Sequence, residues 1–290
     1  MSGATAARSA ELFATTPQDR RRQRVNRWMR RVIAAVTAIA VLPLVGVTVL
    51  IVAKGASGLT PSFLLNGPLG SPPGILNAIQ GSLLMTFVAT LISAPIGIAG
   101  GVYLNEYASA RIASIGEYLI DVMLGVPSIL AGLFAYLAIV PLLGFSGWAA
   151  AIALSVLMVP VVMRTTQEVM RLVPANLREA SLALGVPMWK TTVFVVCRTA
   201  LSGLLTGVVL AISRGLGETA PLLLTSLASN DQSLNLGAPM NAMTVVIYNY
   251  AGSSDPQRVA QAWTTALVLF AVALVLNVSV RFKTVNSRVA

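Results

Sequence analysis

Six long apolar stretches constrain the fold of this chain more than any other feature of its sequence. They lie at about residues 32–52, 78–104, 118–143, 148–163, 193–224 and 263–280. A helix needs roughly 20 mostly apolar residues to cross a bilayer. The stretches are rich in Ala, Leu, Val and Gly rather than in alternating polar residues, which favours helices over a β-barrel. With 56% hydrophobic and 10% charged residues, the chain is predicted to be an all-α integral membrane protein with six transmembrane helices.

The basic residues are distributed unequally around these stretches. Seventeen of the 20 Lys and Arg residues fall in the N-terminal arm, the C-terminal tail and the loops on their side, and only Lys54 and Arg258 fall on the other side. Because basic loops stay cytoplasmic, both termini are predicted to be cytoplasmic, in a plasma (inner) membrane. The predicted organisation is a basic arm over 1–30, a transmembrane domain over 31–284 and a tail over 285–290. The first stretch is too long for a signal-peptide core and has no clear cleavage site, so we predict an uncleaved anchor.

Several classes of protein are excluded by the residues that this chain lacks. It has no His, and Cys197 is its single cysteine, which excludes imidazole catalysis, a His metal site, a Cys cluster and an intrachain disulfide. Residues 185–191 faintly resemble a phosphate-binding loop but place Trp189 where a Gly must let the backbone approach the phosphates. We therefore predict no enzyme, metal or cofactor, and expect any ATP hydrolysis in another chain. The net charge of +10 predicts attraction to anionic membrane lipid rather than to nucleic acid, because the basic arm runs directly into a span.

A short helix with defined ends is predicted in the basic loop at about 164–192. Asn176 is a good N-cap, and Glu179 follows three residues later, as in a capping box. Gly185 can adopt the left-handed conformation that ends a helix, and Pro187 prevents the helix from restarting. Nothing in this helix is catalytic. A two-turn helix in a cytoplasmic loop is therefore predicted to be a docking device.

The same loop carries a resemblance to a known family. Glu179-Ala180-Ser181, three further residues and Gly185 resemble the Glu-Ala-Ala, three residues, Gly pattern of ABC importer membrane subunits. Ser181 stands where that family most often has Ala, and Cys197-Arg198 stands where it commonly has Leu-Pro. The resemblance implies the ABC importer permease fold with a cytoplasmic coupling helix. It also implies that Glu179, Ala180 and Gly185 contact a groove of a separate ATPase subunit.

Two charged residues lie inside the fifth apolar stretch, Arg214 and Glu218. A charge at membrane depth costs at least about 2.5–3.5 kcal/mol, so both must face a wet cavity or each other. At spacing i, i+4 they share a helix face, about 6 Å apart along the axis. Gly215, Gly217 and Pro221 loosen the helix at this point, and a discontinuous helix beside a fixed cation is a suitable anion site. The alternative is an ion pair that only holds the helices together.

The residue types at this site indicate which anions it would accept. The planar Arg guanidinium suits phosphate or carboxylate because it donates two parallel hydrogen bonds. Glu218 would orient Arg214, or accept a hydrogen bond from a protonated phosphate oxygen, which would favour phosphate over sulfate. Thr219 is included as the neighbouring polar residue. We predict a substrate pathway that contains Arg214, Glu218, Thr219 and Arg164.

Arg164 is included because the apolar run before it is short. Residues 148–163 number only sixteen, fewer than the roughly 20 that a span needs. Either the bilayer thins here or Arg164 is drawn into its inner half; the alternative is an ordinary interfacial Arg. Asp121 is expected to be interfacial or paired to a basic neighbour, with no transport role.

The segment at about 226–261 between the last two spans has two possible interpretations. Its apolar run 243–248 is too short to cross a bilayer and is bounded by polar residues. It is either a surface helix on the outer leaflet, or a plug or docking surface for a protein that delivers substrate.

Four motifs in order narrow the resemblance to one family. They are Pro95–Tyr107, Asp121–Ile129, Arg214–Leu223 and Pro239–Thr244, and each is similar to the corresponding motif of the A-type transmembrane subunit of phosphate-specific ABC importers, over about residues 30–285. The resemblance implies phosphate import together with a C-type permease subunit, two ATPase subunits and an external phosphate-binding protein. Two alternatives stay open. One is a permease for another small oxyanion. The other is a proton-coupled secondary anion transporter, which would not need the docking helix.

Overall fold

A computed structural model describes residues 17–286 of the chain, with side chains over 21–279. The first half of the predicted basic arm and the last residues of the predicted tail lie outside that range. Helices make up nearly all of the described structure, which confirms the all-α prediction. They are α1 (Pro17–Gly55), α2 (Pro61–Leu65), α3 (Leu76–Glu106), α4 (Ala110–Gly125), α5 (Ser128–Leu143), α6 (Gly147–Arg171), α7 (Ala175–Ala183), α8 (Met188–Gly217), α9 (Ala220–Thr225), α10 (Met243–Ala251) and α11 (Pro256–Asn286).

The chain falls into two compact units, which divide between Ala53 and Lys54. The first consists, in its described part, of α1 up to that boundary, and this helix is long and apolar enough to cross a membrane. The second holds all the remaining helices. The predicted boundaries of arm, transmembrane domain and tail concern position relative to the membrane, and they stay predictions.

Five described helices are long and apolar enough to span a bilayer: α1, α3, α6, α8 and α11. The predicted third span, 118–143, is not one helix, and this part of the prediction was wrong. It falls within α4 and α5, which meet at an angle of 97°. Pro127 has no N–H to continue the helical ladder, and its ring keeps Val126 extended at φ −67°, ψ 127°. The count reaches six only if this bent pair is one broken span.

Helix α6 is the most buried element among the described helices because its two neighbours present glycine to it. A Cβ atom added at Gly97 of α3 would lie 2.6 Å from Val162 Cβ of α6. One turn earlier on α6, a Cβ atom at Gly215 of α8 would lie 2.9 Å from Met158 Sδ. In lipid, where the hydrophobic effect does not drive helices together, such close backbone approach is a main source of association. The core of the second unit is therefore α6 held between α3 and α8.

Helix α8 does not have a uniform helical pitch. Its residues Thr191–Cys197 form a π-helical stretch of seven residues, and regular α-helix follows from Arg198 to Gly217. Such stretches are rare and often lie near functional segments. Here the π-helical stretch lies between the segment that contains α7 and the span that carries Arg214.

The segment predicted to be external is folded into the protein over residues 240–246, whereas much of the rest of it is exposed. The first residues of α10, Met243 to Val246, are buried, and Met243 packs with Phe63, Ile75 and Val268 in one apolar cluster. The Met243 N–H donates to Ser82 Oγ of α3 over 2.8 Å. The surface-helix interpretation is therefore wrong for the first turn of α10, whereas Tyr248 further along is exposed.

Candidate functional site

The fifth span is interrupted next to its two charged residues, as the sequence predicted. Helix α8 ends at Gly217, and α9 begins at Ala220. Pro221 has no N–H to donate to the Gly217 carbonyl, so the helical ladder cannot continue. Glu218 adopts an extended conformation at φ −74°, ψ 131°. The break therefore consists of the two polar residues between the helices, Glu218 and Thr219.

Arg214 and Glu218 face each other across the break but bind loosely. The Arg214 Nε atom lies 3.6 Å from Glu218 Oε1, well beyond the roughly 2.7–2.9 Å of a strong charge-assisted hydrogen bond. The Arg214 side chain is 40% exposed, and that of Glu218 is 14% exposed. Within residues 21–279 the structure shows no acceptor bound to either Nη group of Arg214. The guanidinium therefore keeps hydrogen-bond donors that an anion can use.

Side chains of two neighbouring helices make hydrogen bonds at this pair, one to the backbone of Glu218 and one to the side chain just before Arg214. Thr244 Oγ1 of α10 donates to the Glu218 carbonyl over 3.0 Å. Asn277 Nδ2 of α11 donates to Ser213 Oγ over 2.8 Å, one residue before Arg214. Thr219 precedes α9 without capping it through its side chain. The structure thus brings three of the four predicted pathway residues together at one break.

Arg164 does not join them. Its Nη1 atom lies 3.5 Å from Asp121 Oδ1 of α4, and its Nε atom lies 3.1 Å from Glu168 Oε1. The next residue along α6 packs against Gly207 of α8. Gly207 lies seven residues, or about 10 Å, before Arg214. Arg164 is held by two carboxylates at a different level of the protein, and a role for it in the pathway stays a prediction.

An open groove lies between α6 and α8 on that same level. Its volume is about 380 Å³, and its lining is mostly apolar, with four hydroxyl groups and Glu168 as the one carboxylate among its lining residues. The hydroxyls belong to Thr165, Thr199, Ser202 and Thr206. Three lining residues of the groove, Gly203, Gly207 and Leu210, follow helical spacing with Arg214, so the groove and the Arg214 site lie along one face of α8.

The predicted docking helix is present as α7, with one end as expected. Gly185 adopts φ +77°, and the Val186 N–H returns to the Ser181 carbonyl over 3.2 Å, so the left-handed ending is confirmed. The predicted N-cap was wrong: the cap position is Pro174, and Asn176 lies within the first turn. Pro174 begins the helix because its fixed φ suits a helix start and it lacks an N–H.

An anchor that sequence reasoning missed fixes α7 to the bundle. Arg178 Nη2 donates to Glu106 Oε1 over 2.8 Å, and Arg178 Nε lies 3.2 Å from both carboxylate oxygens. The remaining donors of Arg178 reach the Met170 and Val173 carbonyls at 2.9 and 2.8 Å. The Glu106 side chain is only 3% exposed. The only signal in the sequence was an isolated acid at the end of the second apolar stretch, which does not identify its partner.

The opposite face of α7 is open and partly apolar. Glu179, Ala180 and Gly185 are exposed, and Leu184 beside them is 83% exposed. On the inner face, Ser181 Oγ lies 2.9 Å from Thr191 Oγ1 of α8. The Ser that replaces the usual Ala of the resemblance therefore links α7 to the start of α8. In the described part of the chain, no group of three metal-ligating side chains is present.

Comparisons with known proteins agree with this arrangement. Residues 95–285 match the model of the family described as binding-protein-dependent transport system inner membrane component. The chain is 42% identical over 236 residues to the phosphate transport system permease protein PstA of Pasteurella multocida, covering 80% of this chain and 84% of that protein. It is 39% identical over 281 residues to the PstA protein of Yersinia pestis, covering 92% and 94%.

A solved structure shares the fold at low sequence identity. An inward-facing conformation of the MetNI methionine ABC transporter superposes with a TM-score of 0.61 at 18% identity, over 72% of this chain and 94% of that one. At this identity the likeness shows the architecture of the chain and carries nothing about substrate.

Proposed function

We propose a function for this chain, which belongs to the family of binding-protein-dependent transport system inner membrane components. The chain is the transmembrane permease subunit of an ATP-driven importer of inorganic phosphate. The observation that carries the proposal is the open Arg214–Glu218 pair at the break in the fifth span. The relatives named as phosphate transport permeases support phosphate as the substrate.

The chemistry of the pair explains why an anion would bind there. Arg214 is partly exposed within a span, where facing lipid would cost at least about 2.5–3.5 kcal/mol. Its exposed side must therefore face water or another subunit. A phosphate oxygen can accept from the free Nη groups, and Glu218 can accept from a protonated phosphate oxygen. Fully ionised sulfate has no proton to donate, and the carboxylate would repel it.

The exposed position of Arg214 also supports a pathway shared between two permease subunits. This chain would supply one wall, and a C-type permease subunit would supply the other. The pathway residues of this chain are Arg214, Glu218 and Thr219, and Arg164 would lie further towards the cytoplasm. In this arrangement both termini are cytoplasmic, as the distribution of basic residues favours.

Energy for transport would enter through α7. Its exposed residues Glu179, Ala180 and Gly185 would dock into a groove of a separate ATPase subunit, two copies of which serve the complex. The Arg178–Glu106 anchor would make α7 move as one body with the ends of α3 and α6. Closure of the ATPase pair would then rock the spans about the Arg214 site, which gives alternating access. A proton-coupled secondary transporter would have no use for such a helix.

The test is reconstitution of the permease with its ATPase and binding-protein partners in lipid vesicles. We expect phosphate to stimulate ATP hydrolysis and to accumulate inside, and sulfate at the same concentration to do neither. Transport stimulated by sulfate would show that the substrate is another oxyanion and not phosphate. Phosphate uptake that needs a proton gradient but no ATPase subunit would contradict the whole proposal and show that the protein is a secondary transporter.

Orientation is tested separately by labelling single cysteines in a Cys197-free background. An impermeant thiol reagent added outside sealed cells should label exposed positions within 60–75 and 228–256, such as 69 and 248, but not positions 176–186. Labelling of α7 from outside would reverse the proposed topology.

A further inference from the structure

Thr244 is the side chain that connects the external segment to the anion site. It lies in the first turn of α10, is 5% exposed, and donates its hydroxyl hydrogen to the Glu218 carbonyl over 3.0 Å. That carbonyl has no helical partner among the described residues, because α9 starts only at Ala220. A carbonyl without a donor is costly inside a membrane protein. The Thr244 hydroxyl therefore supplies a hydrogen bond that the break itself removed.

The position of Thr244 depends on how the external segment is seated. The N–H of the preceding residue, Met243, donates to Ser82 Oγ. Further back, the Met240 N–H donates to the Ser226 carbonyl over 3.1 Å, and Asn77 Nδ2 donates to the Ser229 carbonyl over 3.1 Å. The segment is thus fixed to α3 at Ser229 and Met243, and to the break at Thr244. An outward movement of the segment would carry Thr244 away from Glu218.

We propose that Thr244 is a positioning residue that assembles the anion site only while the external segment is seated. With the hydrogen bond in place, the extended backbone of Glu218 is fixed and its carboxylate stays opposite Arg214. When the segment moves, the Glu218 carbonyl loses its hydrogen bond and the backbone at the break becomes more mobile. The Glu218 carboxylate then no longer accepts a hydrogen bond from the protonated oxygen of the anion. Selectivity for phosphate is therefore tied to the position of the external segment. This inference rests on the proposed function of the Arg214–Glu218 pair.

The substitution that isolates the hydroxyl is Thr244→Val, which has nearly the same shape and cannot donate. Thr244→Ser restores the donor without the methyl group. Thr265→Val is the matched control, because Thr265 is 0% exposed and its hydroxyl binds only the Gln261 carbonyl of its own helix. Each variant is assembled with its ATPase and binding-protein partners in vesicles, and transport per assembled complex is measured for phosphate and sulfate.

We expect Thr244→Val to lower phosphate transport about tenfold, the effect of losing one buried hydrogen bond, and to lower the ratio of phosphate to sulfate transport. Thr244→Ser and Thr265→Val should keep the wild-type ratio. A Thr244→Val complex that transports more slowly but keeps the ratio would overturn the inference, because it would show a merely structural role. A full wild-type rate and ratio would overturn it as well.

Arg214→Lys in the same experiment separates the two proposals. If Arg214→Lys transports phosphate normally, the proposed function fails, whereas if only Thr244→Val is normal, this inference alone fails. Should Thr244→Val not assemble, hydrogen exchange on the wild-type complex decides. Phosphate should slow exchange at residues 217–223 and 240–248 together, and sulfate should slow neither. Protection of the first segment without the second would overturn the link.

Discussion

Two Arg–Glu pairs in this protein have the same chemistry and opposite surroundings. Arg178 and Glu106 join helices far apart in sequence, and every donor group of the guanidinium is bound to a carboxylate or a carbonyl. Arg214 and Glu218 are one helical turn apart and meet through one contact of 3.6 Å. The first pair is closed and has no capacity for another ligand. The second is open, which is what a site that must bind and release an anion requires.

The difference shows how to separate a structural ion pair from a binding one. Removing one partner of a closed buried pair leaves a charge without compensation, so stability falls. A substitution that changes the geometry of the open pair, whose Arg is 40% exposed, should change stability little, because water screens the charge that remains. Function should respond in the opposite order. The following substitutions test this comparison.

The largest effect is expected at the closed pair. Glu106→Ala should lower the free energy of unfolding by about 3 kcal/mol, because it leaves the Arg178 guanidinium, only 21% exposed, without a carboxylate. Thermal unfolding of the purified permease in lipid measures this. Asp255→Asn is the control, since the pair with Arg258 is 3.8 Å long and exposed and the Asn oxygen can still accept from the Gln257 N–H at the start of α11; it should change stability by less than about 0.5 kcal/mol. Equal effects from the two substitutions would contradict the closed-pair interpretation.

The open pair should show the reverse response. Arg214→Lys keeps the charge but loses the planar fork, so phosphate transport per complex should fall about 10- to 100-fold, the range expected for charge-assisted hydrogen bonds. Its unfolding temperature should stay close to that of the wild type. Unchanged transport together with a lower unfolding temperature would show that the Arg214–Glu218 pair is structural, and it would contradict the contrast drawn between the two pairs.

At α7 the two possible roles of Gly185 can be separated. Among the described residues, no atom lies within 4 Å of a Cβ built at Gly185, so a side chain there meets only the strain of φ +77° from this part of the chain. Asn tolerates that conformation better than Asp and adds similar bulk. If the ATPase groove excludes a side chain, Gly185→Asn and Gly185→Asp should both weaken copurification of the ATPase subunit several-fold. Loss with Asp alone would assign the effect to the helix ending or to charge.

The smallest effect, a few-fold one, is expected from Glu218→Gln. The amide keeps the shape of the side chain and can still accept a hydrogen bond, but it no longer repels a fully ionised anion. Phosphate transport should fall a few-fold, and the phosphate-to-sulfate ratio should fall with it. The measurement is competition between labelled phosphate and unlabelled sulfate on one vesicle preparation. A phosphate-to-sulfate ratio equal to that of the wild type would show that Glu218 does not contribute to substrate selection.

The same contrast explains what the sequence could reveal. Arg214 and Glu218 are four residues apart, so helical periodicity places them together, and Pro221 predicts the break that follows. Arg178 and Glu106 are 72 residues apart, and only the packing of α7 on α3 brings them into contact. The bend at Pro127 was visible as a proline but was outweighed by the continuous apolar run around it. The burial of α10 could not be predicted, because its apolar residues fit an outer-leaflet surface equally well.

The π-helical stretch at the start of α8 determines the direction, around the helix axis, in which the later residues of α8 point. Thr191 contacts α7 through Ser181, and Arg214 lies 23 residues further along the same helix. Because a π-helix has more residues in each turn than an α-helix, the stretch rotates the Arg214 face relative to the Thr191 face. Deleting one residue from it would leave both sites intact in sequence but turn them away from each other. The proposed link between ATP-driven movement and the anion would therefore depend on helical phase as well as on contacts.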